Sequence, residues 1–424
     1  MPKEPYPAPT PPECRETLGL SPAILAKRDI IKTDTWCPNP NKFDFDKFCD
    51  PNYPKTIHYS QIAKAHASIK DYIPTTLLLA LAYHCYMFNL RVTVVLPANT
   101  PLAVVDKCKD FGATVILHGR NLAEAKKRAF TLIAESRGFY LNGYDHPNVI
   151  AGAGTVGIEI VEQLPDVEAI LVPVGGGGLI AGVASAVKHL KRKTLIYGIE
   201  TSKSCSFFKA MDNERPYSIE SEMGLASSLI VPKAGENAFH TARSLIDKLV
   251  LVDDDWIARA ILHLLEEENL IVEGAGAISL ASLLCLPNVL PELHGKKVVC
   301  IISGGNIEII PMIRVIARAQ TIEGRCIALT VRVSGGRPDY DRKRIFKALE
   351  SLDCNVTECE LERDWLIEDK LMDSYISIQC QTKGFKHACI VKRVMEKLFP
   401  NVCEFCEDSF KDISTCACFP TSSV

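Results

Sequence analysis

Four consecutive glycines, Gly175 to Gly178, follow the apolar stretch Ala169-Ile170-Leu171-Val172-Pro173-Val174, and a helical pattern runs on from Leu179 to Lys191. A strand that passes into a helix through glycines lets several backbone N–H groups converge on one point. The helix start adds partial positive charge there. Such a turn is an anion cradle, and it commits this part of the chain to a strand–turn–helix unit of an α/β fold.

The surrounding pattern agrees. A helix begins near Ser60, with Ile62, His66, Ile69 and Ile73 on one face. Leu77 to Phe88 reads as a helix and Val92 to Leu96 as a strand. A helix from Thr100-Pro101 to Gly112 and a strand from Thr114 to Leu117 come next. A helix from Asn121 to Gly138 and another after Gly154-Thr155 precede the glycine run. Strands recur at Leu195 to Ile199, Leu249 to Val252 and Val298 to Ile302. This βαβα order predicts a buried, mostly parallel sheet between helices. Past Glu323-Gly324-Arg325 the order becomes βαββα: a strand from Ile327 to Val333, a helix from Asp341 to Leu352, strands from Val356 to Arg363 and Tyr375 to Gln381, and a helix from Phe385 to Leu398. That is a ferredoxin-like order. The expected divisions are a Pro-rich extension over residues 1–56, an α/β domain over 57–323, and a second module with a Cys-containing tail over 324–424.

A net charge of −3 over 424 residues, with no basic block, argues against a nucleic-acid or membrane-surface partner. The 17 cysteines are odd in number and mostly lie inside apolar segments, which reads as reduced thiols rather than a disulfide framework. The N-terminal stretch lacks the apolar core of a signal peptide, and no apolar run reaches transmembrane length. A cytoplasmic protein is the expectation.

Three phosphate-binding readings compete for the glycine run. A nucleoside-triphosphate loop needs Gly-Lys-Ser/Thr, and Gly178 is followed by Leu179-Ile180. A dinucleotide fingerprint is met by Gly176, Gly178 and Ala181, with Glu200 ending the next strand as a ribose partner. A second match, Gly152-Ala153-Gly154-Thr155-Val156-Gly157, lacks a preceding strand and reads as helix packing. The third reading is pyridoxal phosphate (PLP). The strand from Val298 delivers Ser303-Gly304-Gly305-Asn306 at its carboxyl end, where ligands of parallel sheets bind, and Ser303 could hydrogen-bond a pyridine nitrogen. Glu273-Gly274-Ala275-Gly276-Ala277 opens another helix toward the same crevice.

The blocks Val172-Pro173-Val174-Gly175-Gly176-Gly177-Gly178-Leu179-Ile180-Ala181-Gly182, Val149-Ile150-Ala151-Gly152-Ala153-Gly154-Thr155 and Ser303-Gly304-Gly305-Asn306 resemble those of fold-type II PLP enzymes, the tryptophan synthase β-like fold. Within these, the similarity is to serine/threonine dehydratases and serine racemases, and it covers residues 57–320. The C-terminal module resembles the ACT-like regulatory module found after some threonine dehydratases. The resemblance implies that Gly175, Gly176, Gly177, Gly178 and Leu179 bind the PLP phosphate and Ser303 the pyridine nitrogen. It implies β-elimination of water from L-serine or L-threonine, giving ammonia and pyruvate or 2-oxobutyrate. It also implies an amino-acid substrate or effector and a homo-oligomer. A serine racemase and a non-catalytic amino-acid sensor are the alternatives.

The chain departs from the family at one place. The family's Schiff-base lysine lies in a Ser-Phe-Lys-x-Arg-Gly segment, followed by a Ser-Ser-Gly-Asn-His-like loop, and neither occurs here. Ile69-Lys70-Asp71-Tyr72-Ile73-Pro74-Thr75-Thr76 resembles the stretch before the lost segment, and Leu79-Ala80-Leu81-Ala82-Tyr83-His84-Cys85 the helix after it. The two abut at residues 76–78, which predicts an incomplete small domain and no catalytic lysine. Lys64 and Lys70 lie closest to the gap and read as solvent-facing. Glu200 matches a carboxylate that binds a divalent cation in some members, but Ser204 and Ser206 stand where further acid is expected; a solvated strand-end glutamate is the competing reading. Cys403, Cys406, Cys416 and Cys418 read as tail thiols or a zinc knot.

Overall fold

The computed structural model describes residues 46, 48–69, 77–98, 100, 102–120, 122–136, 139–285, 290–334, 338–363, 373–406 and 410. Lys70, Thr76, Cys416 and Cys418 lie outside them, so the junction itself and the second half of the tail cysteine pattern are not described.

Among the described residues ten strands form three sheets. β1 (Thr93–Leu96) and β2 (Thr114–Leu117) make a two-stranded parallel sheet. β3 (Ala169–Pro173), β4 (Leu195–Thr201), β5 (Lys248–Val252) and β6 (Val298–Cys300) form a parallel sheet in the order β5-β4-β3-β6. β7 (Cys326–Ser334), β8 (Asn355–Arg363), β9 (Asp373–Gln381) and β10 (Cys403–Phe405) form an antiparallel sheet in the order β10-β7-β9-β8.

β3 is buried at every residue, as a central parallel strand covered on both faces should be. Its side chains alternate between two cores. Ala169 and Leu171 join one with the helices Asp254–Glu267, Gly274–Leu284 and Ile309–Ile322. Ile170 and Val172 join the other with the helices Tyr59–Ile69, Pro147–Ala153, Thr155–Gln163, Gly178–Leu190 and Glu236–Ala242. The small residues of Gly178–Leu190 allow close helix contact: the hydrogens of Gly182 face Ile150 O and Gly154 N. Gly154 and Gly157 in turn press on Gly182 O and Val183 O, so the Gly152–Gly157 pattern serves packing.

The β1–β2 pair has its own core of Ala82, Val94, Leu96, Val105, Cys108 and Ala113. Its sheet holds two strands among the described residues. After residue 325 the βαββα order is present and is extended by β10, which pairs Cys403 with Val331, so Cys403 is a strand residue. Val298–Ile302 is shorter than expected as a strand, ending at Cys300. Twelve described cysteines are free thiols; Cys285 differs, being disulfide-bonded. Among the described residues no helix is long and apolar enough to cross a membrane.

Candidate cofactor site

The two glycine turns leave adjacent strands at one sheet edge. Leu171 pairs with Cys300, and Ile301 N donates to Leu171 O at 3.1 Å, so β3 and β6 run side by side into the glycine run and the Ser303 turn. The carboxyl edge of a parallel sheet is where such folds bind ligands.

The glycine run is built by close approach. Gly177 has φ +91°, a left-handed conformation that favours glycine, and a Cβ there would stand 2.5 Å from Phe207 Cε2. A Cβ on Gly176 would collide with the Tyr144 ring, and one on Gly178 with Tyr144 O. A Cβ on Gly175 would stand 3.0 Å from Leu229 Cα. The carbonyls are used: Gly176 O accepts from Gly235 N at 2.9 Å and Gly177 O from Ala181 N at 3.0 Å. The N–H groups of residues 175–180 have no protein acceptor among the described residues. Three of these six belong to the first turn of the helix Gly178–Leu190, where unpaired donors are ordinary. The other three extend the row back into the buried turn. A row of N–H donors at a helix start fits a phosphate monoester in chemistry.

Ser303 is exposed at the neighbouring turn, and its hydroxyl donates to Ala275 O at 3.3 Å. The turn is clamped onto the start of the helix Gly274–Leu284: Glu273 N donates to Gly304 O at 3.2 Å, and the Glu273 carboxylate accepts from Ser228 Oγ at 3.3 Å. Burial pushes the Glu273 carboxyl above its usual range.

Glu200 lies next to the last residue of β4 but is not solvated. It is fully buried, and its two oxygens accept the N–H groups of Phe207 at 2.9 Å and Phe208 at 2.7 Å. Desolvation pushes its carboxyl up to about 8 against those two hydrogen bonds. The glutamate caps the helix Ser206–Asp212. That corrects the solvated reading and withdraws the acidic ribose partner a dinucleotide site needs. Among the described residues no group of three His, Cys, Asp or Glu side chains could hold a metal ion.

Sequence reasoning missed the turn before Pro147. Tyr144 lies against Gly176, and buried Asp145 caps a distant helix: its carboxylate accepts Glu236 N at 3.0 Å and Ala238 N at 2.9 Å. Asn237 Nδ2 returns a bond to Asp145 O at 2.9 Å. This lattice positions Gly235, the donor to Gly176 O. The His146-Pro147 helix start was a legible signal, but its partner lies 91 residues away.

Residues 79–304 match the family described as pyridoxal-phosphate dependent enzyme. The chain belongs to that family. It is 35% identical to an L-threonine ammonia-lyase of Geobacter sulfurreducens over 312 residues, 72% of this chain and 75% of the relative. The processed form of threonine deaminase isoform 2 from Solanum lycopersicum superposes with a TM-score of 0.55 at 28% identity, covering 62% of this chain and 80% of that one. Serine racemase from Dictyostelium discoideum gives a TM-score of 0.51 at 25% identity, covering 59% and 84%. The fold is therefore the α/β fold of these PLP enzymes, and the family implies PLP as the cofactor.

Proposed function

We propose that this chain is a threonine/serine ammonia-lyase scaffold that grips PLP without a lysine to tether it, and that it does not turn over hydroxy amino acids at an enzyme's rate. The row of unpaired N–H groups over residues 175–180 carries the reading. Gly175, Gly176, Gly177, Gly178 and Leu179 hold the phosphate, and Ser303 faces the pyridine nitrogen. Bound PLP supplies an electron sink for the α-carbon of an amino acid. This chain's part is to position that group; an amine to bind the aldehyde and carry the α-proton is what it lacks. The family match begins at residue 79, just past the Thr76–Leu77 junction. L-Threonine or L-serine is the proposed ligand class, on the name of the ammonia-lyase relative. Racemase chemistry shares the scaffold and needs the same missing amine.

The division at residue 323, a cytoplasmic location and a homo-oligomer belong to the same proposal. Glu200 is assigned to helix capping rather than to a cation. The βαββαβ module is proposed as an ACT-like amino-acid-sensing unit, supported by its strand order β10-β7-β9-β8.

Mixing the purified chain with PLP tests the central claim. The expected result is saturable binding that Gly177→Ala weakens, no borohydride-trapped lysine adduct, and no keto acid from threonine or serine. A trapped lysine peptide or steady keto-acid release would overturn it.

A further inference from the structure

We propose that Cys354 and Cys380 form a peroxide-responsive dithiol in the C-terminal module, with Cys354 as the attacking thiol and Cys380 as the resolving one. The two sit where strand register brings them together. Val356 pairs with Cys380 and Asn355 with Gln381. Cys354 lies two residues before Val356, so it points to the same face of the sheet, diagonal to Cys380. Both belong to the same core: Cys380 is fully buried within it and Cys354 is partly buried against it. The Cys354 thiol itself donates to Leu352 O at 3.8 Å.

The surroundings divide the roles. Cys354 is the more open of the two, and the neighbouring Cys380 holds its thiol below the usual range, whereas Cys354 and burial push the Cys380 thiol far above it. The Lys383 ammonium favours the Cys354 thiolate, whereas burial and Asp353 oppose it; those two charges are themselves paired at 2.8 Å. The thiolate is the reactive form of cysteine. Cys354 also follows a tight turn, with Asp353 at φ 57° and Cys354 N bonded to Leu349 O at 3.0 Å. It stands just ahead of β8, where small backbone shifts disturb no ladder bond.

The chemistry balances with hydrogen peroxide as oxidant. The Cys354 thiolate attacks one peroxide oxygen; an S–O bond forms, the O–O bond breaks, and the departing hydroxide takes a proton to become water. Cys380 sulfur then attacks Cys354 sulfur; the S–S bond forms, the S–O bond breaks, and the leaving hydroxide takes the Cys380 proton as a second water. Two thiols lose two electrons and one peroxide gains them.

Treating the full chain with hydrogen peroxide, quenching with N-ethylmaleimide under denaturation and mapping peptides by mass spectrometry tests this. The expected product is a Cys354–Cys380 cross-linked peptide that dithiothreitol releases. In Cys380→Ser, oxidation stops at a Cys354 sulfenic acid that dimedone traps; in Cys354→Ser, Cys380 stays an alkylatable thiol. Cys359 faces Ile378, two residues before Cys380 on the same face of the sheet, and is the rival partner for Cys380. A Cys359–Cys380 peptide, or a wild-type chain in which Cys354 over-oxidises while Cys380 stays free, would overturn the proposal, and both readings come from the unmutated chain.

Discussion

Tyr144 lies so close to Gly176 that the Cβ of any other residue there would overlap its ring at Cδ2. The aromatic ring and the glycine are two halves of one wall, and the wall holds the glycine N–H row in place.

Gly176→Ala is therefore expected to push the ring away at a cost of about 1–3 kcal/mol, the range for overpacking a filled site. Urea midpoints measure the loss. PLP affinity, read by absorbance titration, falls with it. Pairing the change with Tyr144→Ala recovers most of the stability lost to the clash, since the ring atoms are gone and only the Cβ, 2.9 Å from the new methyl, remains, and the double-mutant cycle isolates the coupling. Strict additivity would show that the ring and the glycine do not oppose each other.

Glu200 makes stability depend on pH in a definite direction. Its carboxyl is held near 8 in the folded chain against 4.5 for the free group. The folded state keeps a proton that the unfolded chain releases, so this group favours folding most below pH 4.5 and progressively less as pH rises toward about 8. Glu200→Gln, which cannot ionise, flattens that part of the profile. Denaturation midpoints across the window check it; an unchanged slope would mean the carboxyl titrates normally.

Asp145→Ala leaves the Glu236 and Ala238 N–H groups without their acceptor in a buried turn. The expected loss is roughly 1–3 kcal/mol per orphaned donor, and Asp145→Asn, which keeps one acceptor oxygen, loses less. Burial raises the Asp145 carboxyl to about 6, so its contribution also declines as pH rises from 3.8 toward that value. Thermal melts of both variants on either side of this window separate the lost hydrogen bonds from the titration.

Arg325 fastens the start of β7 to the helix Asp254–Glu267 through a two-pronged contact with Glu266, at 2.9 and 2.8 Å. About a third of each side chain is exposed, so the pair contributes less than about 1 kcal/mol. Arg325→Ala should lower the melting temperature slightly, and the difference from wild type should shrink in high salt. A difference that persists in salt would point to packing by the arginine stem instead.

Much of this architecture was legible because local signals agreed with long-range packing. Thr114–Leu117 and Phe385–Leu398 have the bounds that apolar runs between breakers suggested. β10 went unread because three residues show no periodicity; only its pairing with β7 makes it a strand. Glu200 was misread because a charged residue ending a strand ordinarily meets water. Its burial depends on backbone N–H groups of the next helix, and no sequence pattern announces that supply. The glycine run was legible as a strand-to-helix turn, whereas Tyr144 was not, since ring-on-glycine contact is written only in the tertiary fold.

The β1–β2 pair carries a consequence for the life of the chain. Four residues per strand and a six-residue core give little cooperative protection. Amide deuteration should sweep through it while β3 stays dark. A protease should find its first foothold on the same flank, and in a cell that is the flank by which quality control would recognise the chain.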